Sequence, residues 1–235
     1  MKYTPSIAFD EMSGSAKGVT AAKSRGRKYL RNRGYGGRSR TSYQSTVKSI
    51  FKELGQSWRG LSSEQILAWN NLAQSQAGRS VLGTSSKISG LNLYQRLNFW
   101  IIRCGGTALA NPPILSGVEA PAQATVVLST TAFTFTLASI PSSVSNLKLI
   151  IQASAPQSGG VSNAFAKASS FSEPMSVVST AISLKSDYDA KNGAPTSAAP
   201  KVFLRYFYVN TATGEKSGDM LVEARLTTTT QEEED

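Results

Sequence analysis

The chain has 235 residues, 40% of them hydrophobic, and a formal net charge of +10. It contains no histidine and a single cysteine, Cys104. That excludes Ser-His-Asp and Cys-His catalysis, histidine bases and metal ligands, an intrachain disulfide and a Cys zinc cage. Lys and Arg outnumber Asp and Glu 17 to 4 in residues 1–110, against 8 to 11 in residues 111–235. Such asymmetry points to an anionic partner of the first half, and says nothing of fold.

Residues 1–16 are short and polar, with Ile7 and Phe9 as possible anchors. They hold no apolar core of a secretory leader, so none is expected. No window approaches the roughly 20 apolar residues of a membrane span, so no membrane partner is expected. Residues 17–40 carry nine basic residues, no acidic one and five glycines. Their few apolar residues keep no period and bury too little to offset chain entropy, which predicts a flexible basic arm over residues 1–41.

The arm's cations are the candidate contact residues for nucleic acid or a neighbouring subunit: Lys17, Lys23, Arg25, Arg27, Lys28, Arg31, Arg33, Arg38 and Arg40, with Tyr35 among them. Cations spaced by Tyr29 and Tyr35 suit phosphate contact and occasional base stacking, without reading sequence. The same run also fits an arm docking on acidic protein subunits, or an inert solvated tail.

A helical domain is expected over residues 42–110. Val47, Ile50, Phe51, Leu54 and Trp58 recur on one helical face. Ser62-Ser63-Glu64-Gln65 fits a capping box, which starts a second helix with Ile66, Trp69, Leu72 and Ala73 on its apolar face and Gly78 as its stop. A polar loop follows over 79–89, then a third helix over about 90–103 with Leu93, Leu97, Trp100 and Ile101 inward. Trp58, Trp69 and Trp100 are expected to share one small core. Cys104 is expected to be a small core residue. Asn111-Pro112-Pro113 reads as a domain boundary.

Beyond it the period becomes two. Thr125–Leu128, Phe133–Leu137, Leu147–Ile151, Met175–Ile182, Lys201–Val209 and Met220–Leu226 read as strands, with a hairpin loop over Asn210–Gly218. Six or seven strands over residues 111–226 predict an immunoglobulin- or fibronectin-III-like sandwich. Residues 227–235 read as an acidic tail. The fold class is therefore α+β in two parts: a small helical domain with an extended basic arm, then an all-β sandwich.

Apparent chemical motifs are weak. Gly78 to Ser85 has phosphate-loop glycine spacing, without the lysine or a preceding strand. Asp187 to Gly193 resembles a calcium loop with its glycine one position late and Ala198 where Glu belongs, so an ordinary turn is the better reading. Glu53 and Glu64 read as solvated surface. No cofactor and no enzymatic activity are expected.

Several segments in chain order carry a resemblance. They are Ser13-Gly14-Ser15-Ala16-Lys17-Gly18, the basic glycine-rich segment, Trp58-Arg59-Gly60-Leu61-Ser62-Ser63-Glu64-Gln65, Ala68-Trp69-Asn70 and Ser89-Gly90-Leu91-Asn92-Leu93-Tyr94. Together they resemble a family of bacteriophage-associated proteins. Its pattern is a G-K-x-G start, a W-R-x-L-T-x-x-Q-x-x-A-W-N helical pair, and a G-x-N-L-F/Y-x-x-L-N helix ahead of a Pro-rich joint and a fibronectin-like domain. Lys17 stands later than the family's lysine, and the family's Asn-Pro segment is missing. The resemblance implies a non-catalytic structural component of a tailed-phage virion, as in the crAss-like group, made in the host bacterial cytoplasm. Implied partners are other virion proteins and further copies of the chain, with non-specific DNA contact through the arm. Capsid, auxiliary capsid, neck and tail all remain open. A narrower resemblance, Ile50 through Ala73, is similar to the second and third helices of an HMG box. It implies minor-groove binding and DNA bending as the alternative.

Overall fold

The computed structural model describes residues 14–16, 18–24, 27–32, 41–78 and 86–227. Its first elements are strands. β1 (Gly14–Ala16), β2 (Val19–Ser24) and β3 (Arg27–Asn32) form an antiparallel meander in that order. Within the expected flexible basic arm over 1–41, the described residues between 14 and 32 form paired strands; residues 1–13 and 33–40 lie outside the described residues. Gly18, at φ +85°, supplies the left-handed turn between β1 and β2. Val19, Thr20 and Tyr29 favour strands, and pairing satisfies backbone groups that a lone arm leaves to water. None of the meander residues whose burial is described is buried, and none joins a core cluster.

Three helices follow, each starting where a side chain can satisfy an orphan backbone N–H. They are α1 (Ser42–Arg59), α2 (Ser63–Gln74) and α3 (Gly90–Arg103). Thr41, Ser62 and Ser89 accept from the N–H groups of Gln44, Gln65 and Asn92 at 3.2, 3.3 and 3.3 Å. The Gln44 and Gln65 side chains return bonds to their caps, so the predicted box at Ser62 has an unpredicted twin at Thr41. α2 stops well short of Gly78. Gly78 instead belongs to β4 (Ala77–Gly78), which pairs with β5 (Ser86–Lys87).

α3 packs against both α1 and α2. Ile50, Leu54, Trp69, Ala73, Leu93, Tyr94 and Leu97 form the shared core. A Cβ on Gly90 would lie 2.4 Å from Asn70 Oδ1, which accepts the Gly90 N–H at 3.2 Å, so glycine alone lets α3 start this close to α2. The expected boundary at Asn111-Pro112-Pro113 is not a loose joint. Residues 105–123 have no regular element, yet they are strapped to their neighbours. Trp69 Nε1 donates to the Ala110 carbonyl at 2.8 Å, and Gln65 Nε2 to Asn111 Oδ1 at 3.2 Å. Buried Asn98 accepts the Leu109 N–H and donates to the Tyr94 carbonyl. Farther on, the Ser116 and Gly117 N–H groups donate to the Glu215 carboxylate.

The remaining strands are β6 (Ala124–Leu128), β7 (Phe133–Leu137), β8 (Leu147–Ala153), β9 (Ser169–Ser170), β10 (Met175–Ser176), β11 (Ala181–Ser183), β12 (Lys201–Asn210) and β13 (Met220–Arg225). They form two antiparallel sheets. One has the order β11-β7-β6; the other has the order β10-β8-β12-β13, with β9 also on β8. Alternation sends Phe133, Phe135, Leu137, Leu149, Ile151, Leu204, Tyr206 and Tyr208 into one core between the sheets. The segment Met175–Ile182, expected as one strand, is split between the two sheets. Asp187–Gly193, expected as a turn, lies in helix α4 (Lys185–Asn192) and its C-terminal glycine. Tyr188 draws α4 inward: it is fully buried, edge-on to Phe133 at 4.9 Å, and donates to the Ser154 carbonyl at 2.9 Å.

β12 is apolar on both faces because both are covered. Inward residues meet the inter-sheet core. Outward, Phe207 and Val209 join Ile150 of β8 in a separate cluster capped by Trp100 and Cys104 of the helical domain. Trp100 therefore leaves the helical core expected for it and lies edge-on to Phe207, ring centroids 5.3 Å apart. Cys104 packs in the same seam, half-buried, and burial pushes its thiol pKa up.

Burial also raises the pKa of Tyr94, Tyr188, Tyr206 and Tyr208 above the usual tyrosine value. A raised folded-state pKa contributes stability that is present below the unfolded value and lost as pH rises. Stability against urea is therefore expected to hold from neutral pH to about pH 9 and fall steeply above about pH 10, where free tyrosines ionise. Tyr208 is the cleanest probe, since its buried hydroxyl has no hydrogen-bond partner among the described residues. Tyr208→Phe should leave neutral-pH stability near wild type and move the alkaline midpoint upward. Urea titrations across pH would check both.

Candidate assembly and nucleic-acid interface

The meander converts a run of charge into faces. Its register pairs Thr20 with Arg31, Ala22 with Tyr29, Lys23 with Lys28, and Ser24 with Arg27. Ser15 of β1 lies opposite Thr20, their hydroxyl oxygens 2.9 Å apart. By alternation, Tyr29 and Arg31 share a face with Ser15, Thr20 and Ala22, and Arg27 holds the matching register position. Small neutral neighbours leave Tyr29 and Arg31 room to meet a flat or extended anionic partner. Lys23 and Lys28 stand directly opposite each other on the other face.

Of the sequence-predicted contact residues, Lys23, Arg27, Lys28 and Arg31 fall within the meander. Lys17, Arg25, Arg33, Tyr35, Arg38 and Arg40 lie outside the described residues, as does most of the candidate phosphate loop, residues 79–85. Tyr29 is the addition: sequence noted it between cations, and alternation along β3 puts it on the same face as Arg31.

Sequence reasoning missed a cleft of about 390 Å³ along the seam between helices and sheet, lined by Arg96, Trp100, Gly214, Glu215 and Lys216 among others. Next to it, Arg96 and Trp100 also line a shallower groove with Phe51 and Phe99, whose rings stack at 5.2 Å. The only signal for these features was the two-sided apolarity of β12, which requires a covering layer. The cleft's polar groups are largely committed. Glu215 holds the Ser116 and Gly117 N–H groups and the Thr213 hydroxyl. Lys216 bridges to Asp219 at 2.6 Å and sits 3.9 Å over the Phe207 ring. Arg96 remains exposed at its rim. The cleft thus sets the Arg96 cation near the Trp100 indole, with the Glu215 carboxylate held by backbone N–H groups.

The calcium-loop likeness at Asp187 dissolves with α4, where Asp189 bridges Lys185 one turn earlier at 2.8 Å. Among the described residues, no three His, Cys, Asp or Glu side chains gather where they would hold a metal ion, and no helix is long and apolar enough to cross a membrane. No family model matches the chain, and no curated protein matches it.

Proposed function

We propose that this chain is a structural component of a tailed-phage virion, assembling through its basic N-terminal segment and its two-sheet unit, with the basic segment also touching packaged DNA. The observation that carries the reading is the meander. It is a folded, cationic element in which no residue of described burial is buried, and a partner surface would supply burial that favours its ordering. The sequence resemblance supplies the kind of partner: other virion proteins and further copies of the chain.

The two-sheet unit belongs, in this reading, to the immunoglobulin and fibronectin-III class. Three strands face five, and the chain crosses between sheets after β7, β10 and β11. That class commonly serves as a rigid module in extracellular and particle surfaces, and its role here is packing without chemistry.

Binding of the full chain to a labelled DNA duplex over a salt series tests the proposal, beside a charge-reversed variant (Lys23→Glu, Lys28→Glu, Arg31→Glu). A virion subunit should bind weakly and lose the duplex near physiological salt, because a few phosphate contacts release few counterions. It should also co-sediment with particles, and the variant should not. Tight binding that survives physiological salt and is lost in the variant would favour the HMG-like architectural reading instead.

A further inference from the structure

We infer that the shallow groove between α1 and α3 takes an unpaired base of single-stranded nucleic acid. The groove holds about 300 Å³ and adjoins the seam cleft, with which it shares Arg96 and Trp100. Aromatic rings form its apolar part. Phe51 lies on the apolar side of α1, yet it is 43% exposed. Its ring stacks on Phe99 at 5.2 Å with the planes 14° apart, and Trp100 stands edge-on to Phe99. An exposed ring held nearly parallel to a second ring is a fixed platform for a further flat ring. Asn92, Gln95 and Arg96 complete the lining, and their side chains have no partner among the described residues.

The lining selects the occupant. Each carboxamide offers both a donor and an acceptor, as does the edge of a base that no second strand occupies. The guanidinium is always charged and suits the phosphate that follows the base. Among the described residues no carboxylate lines the groove. The charge around it agrees. Lys48 precedes Phe51 by three residues and shares its side of α1, whereas Glu53, the one acidic residue of α1 and α3, follows Phe51 by two and lies across the helix. An apolar side chain of a partner protein would use the rings and leave two amides and a cation desolvated without partners. A duplex keeps its ring faces stacked and its base edges paired. An unpaired nucleotide uses all three parts of the groove: the ring platform, the amides and the cation.

This contact differs in kind from that of the basic segment. Cations on the meander hold phosphates of any nucleic acid, paired or not. The groove discriminates: it rewards a strand for having bases and for leaving them unpaired. The inference stands apart from the assembly reading, since a chain that never joins particles would still hold a single strand here.

Titration of the full chain with labelled oligothymidylate, and with an abasic strand of equal length at the same salt, gives the test. Both strands carry the same phosphates, so the basic segment's cations meet them alike. Wild type should bind the base-bearing strand at least about tenfold more tightly, the effect of one stacked base. Phe51→Leu keeps an apolar side chain and removes the ring, so it should bring the two affinities together. Asn92→Ala, at an exposed position, should narrow the same gap if Phe51→Leu disturbs folding. A duplex should bind Phe51→Leu as it binds wild type. A chain that holds both single strands equally, or neither, overturns the inference. So does a duplex that weakens with Phe51→Leu, or thymidine monophosphate that binds as tightly as the strand. A base preference erased by Tyr29→Ala and untouched by Phe51→Leu also overturns it, placing the stacking on the basic segment and leaving the assembly reading standing.

Discussion

Replacing Trp100 with Ala is expected to cost about 3 kcal/mol, the low end for a large aromatic because the side chain is only half-buried. It is also expected to turn one unfolding transition into two. Trp100 is the main roof over Ile150, Phe207 and Val209, and it meets Phe99 and Phe207 edge-on at 5.1 and 5.3 Å. Without it, the outward face of β12 loses most of its cover, and the helical domain keeps Cys104 at the seam, the Gly214 loop against Leu97 and rim contacts to the sheets. The rim contacts are the Arg103–Glu173 bridge and Lys191 beside the Tyr43 ring, worth little at an exposed surface. Wild type should unfold as one unit because the seam joins two cores. Urea unfolding, followed by tryptophan fluorescence for the helices and far-ultraviolet circular dichroism for the whole, reads both effects. A variant with an unchanged midpoint and coincident probes would show that the seam does not couple the domains.

The sequence made local signals plain and hid tertiary ones. The box at Ser62, the periodic face from Val47 to Trp58 and the alternation of Phe133–Leu137 are set by neighbours within a turn or a strand, and the structure carries all three. Trp100 shares its helical face with Leu93 and Leu97, so periodicity assigned it to the same core. Only the presence of a second hydrophobic surface, on β12, draws it away. α4 was illegible because Lys-Ser-Asp-Tyr-Asp-Ala-Lys-Asn is a poor helix former, and it depends on Tyr188 being pulled into the sheets. Met175–Ile182 reads as one apolar-hydroxyl strand, and the crossing between sheets has no residue signature there. The basic segment's charge was legible and its faces were not. Strand pairing sets which cations stand together, and composition carries no register. Tyr29 shares a face with Arg31 by alternation along β3, and the ladder sets Ala22 and Thr20 opposite them.

Gly214→Ala should be nearly as damaging as loss of Trp100, and through the same seam. Gly214 sits in the loop between β12 and β13 at φ +73°, where any other residue costs about 1–2 kcal/mol. Its larger problem is space. A Cβ there would lie 2.1 Å from the Leu97 carbonyl oxygen and 2.6 Å from the carbonyl carbon. These are backbone atoms in the interior of α3, so they cannot swing aside as a side chain would. The loop must lift instead, taking Lys216 from the Phe207 ring and Glu215 from the Ser116 and Gly117 N–H groups. Strain and lost contacts together should reach about 3 kcal/mol, large for a single added methyl group. Because the lifted loop and the missing indole open one interface, the double variant should lose clearly less than the sum of the single losses. A double-mutant cycle in urea measures this. Strict additivity would mean that the loop and the indole hold the helical domain independently, and that the seam is two contacts instead of one.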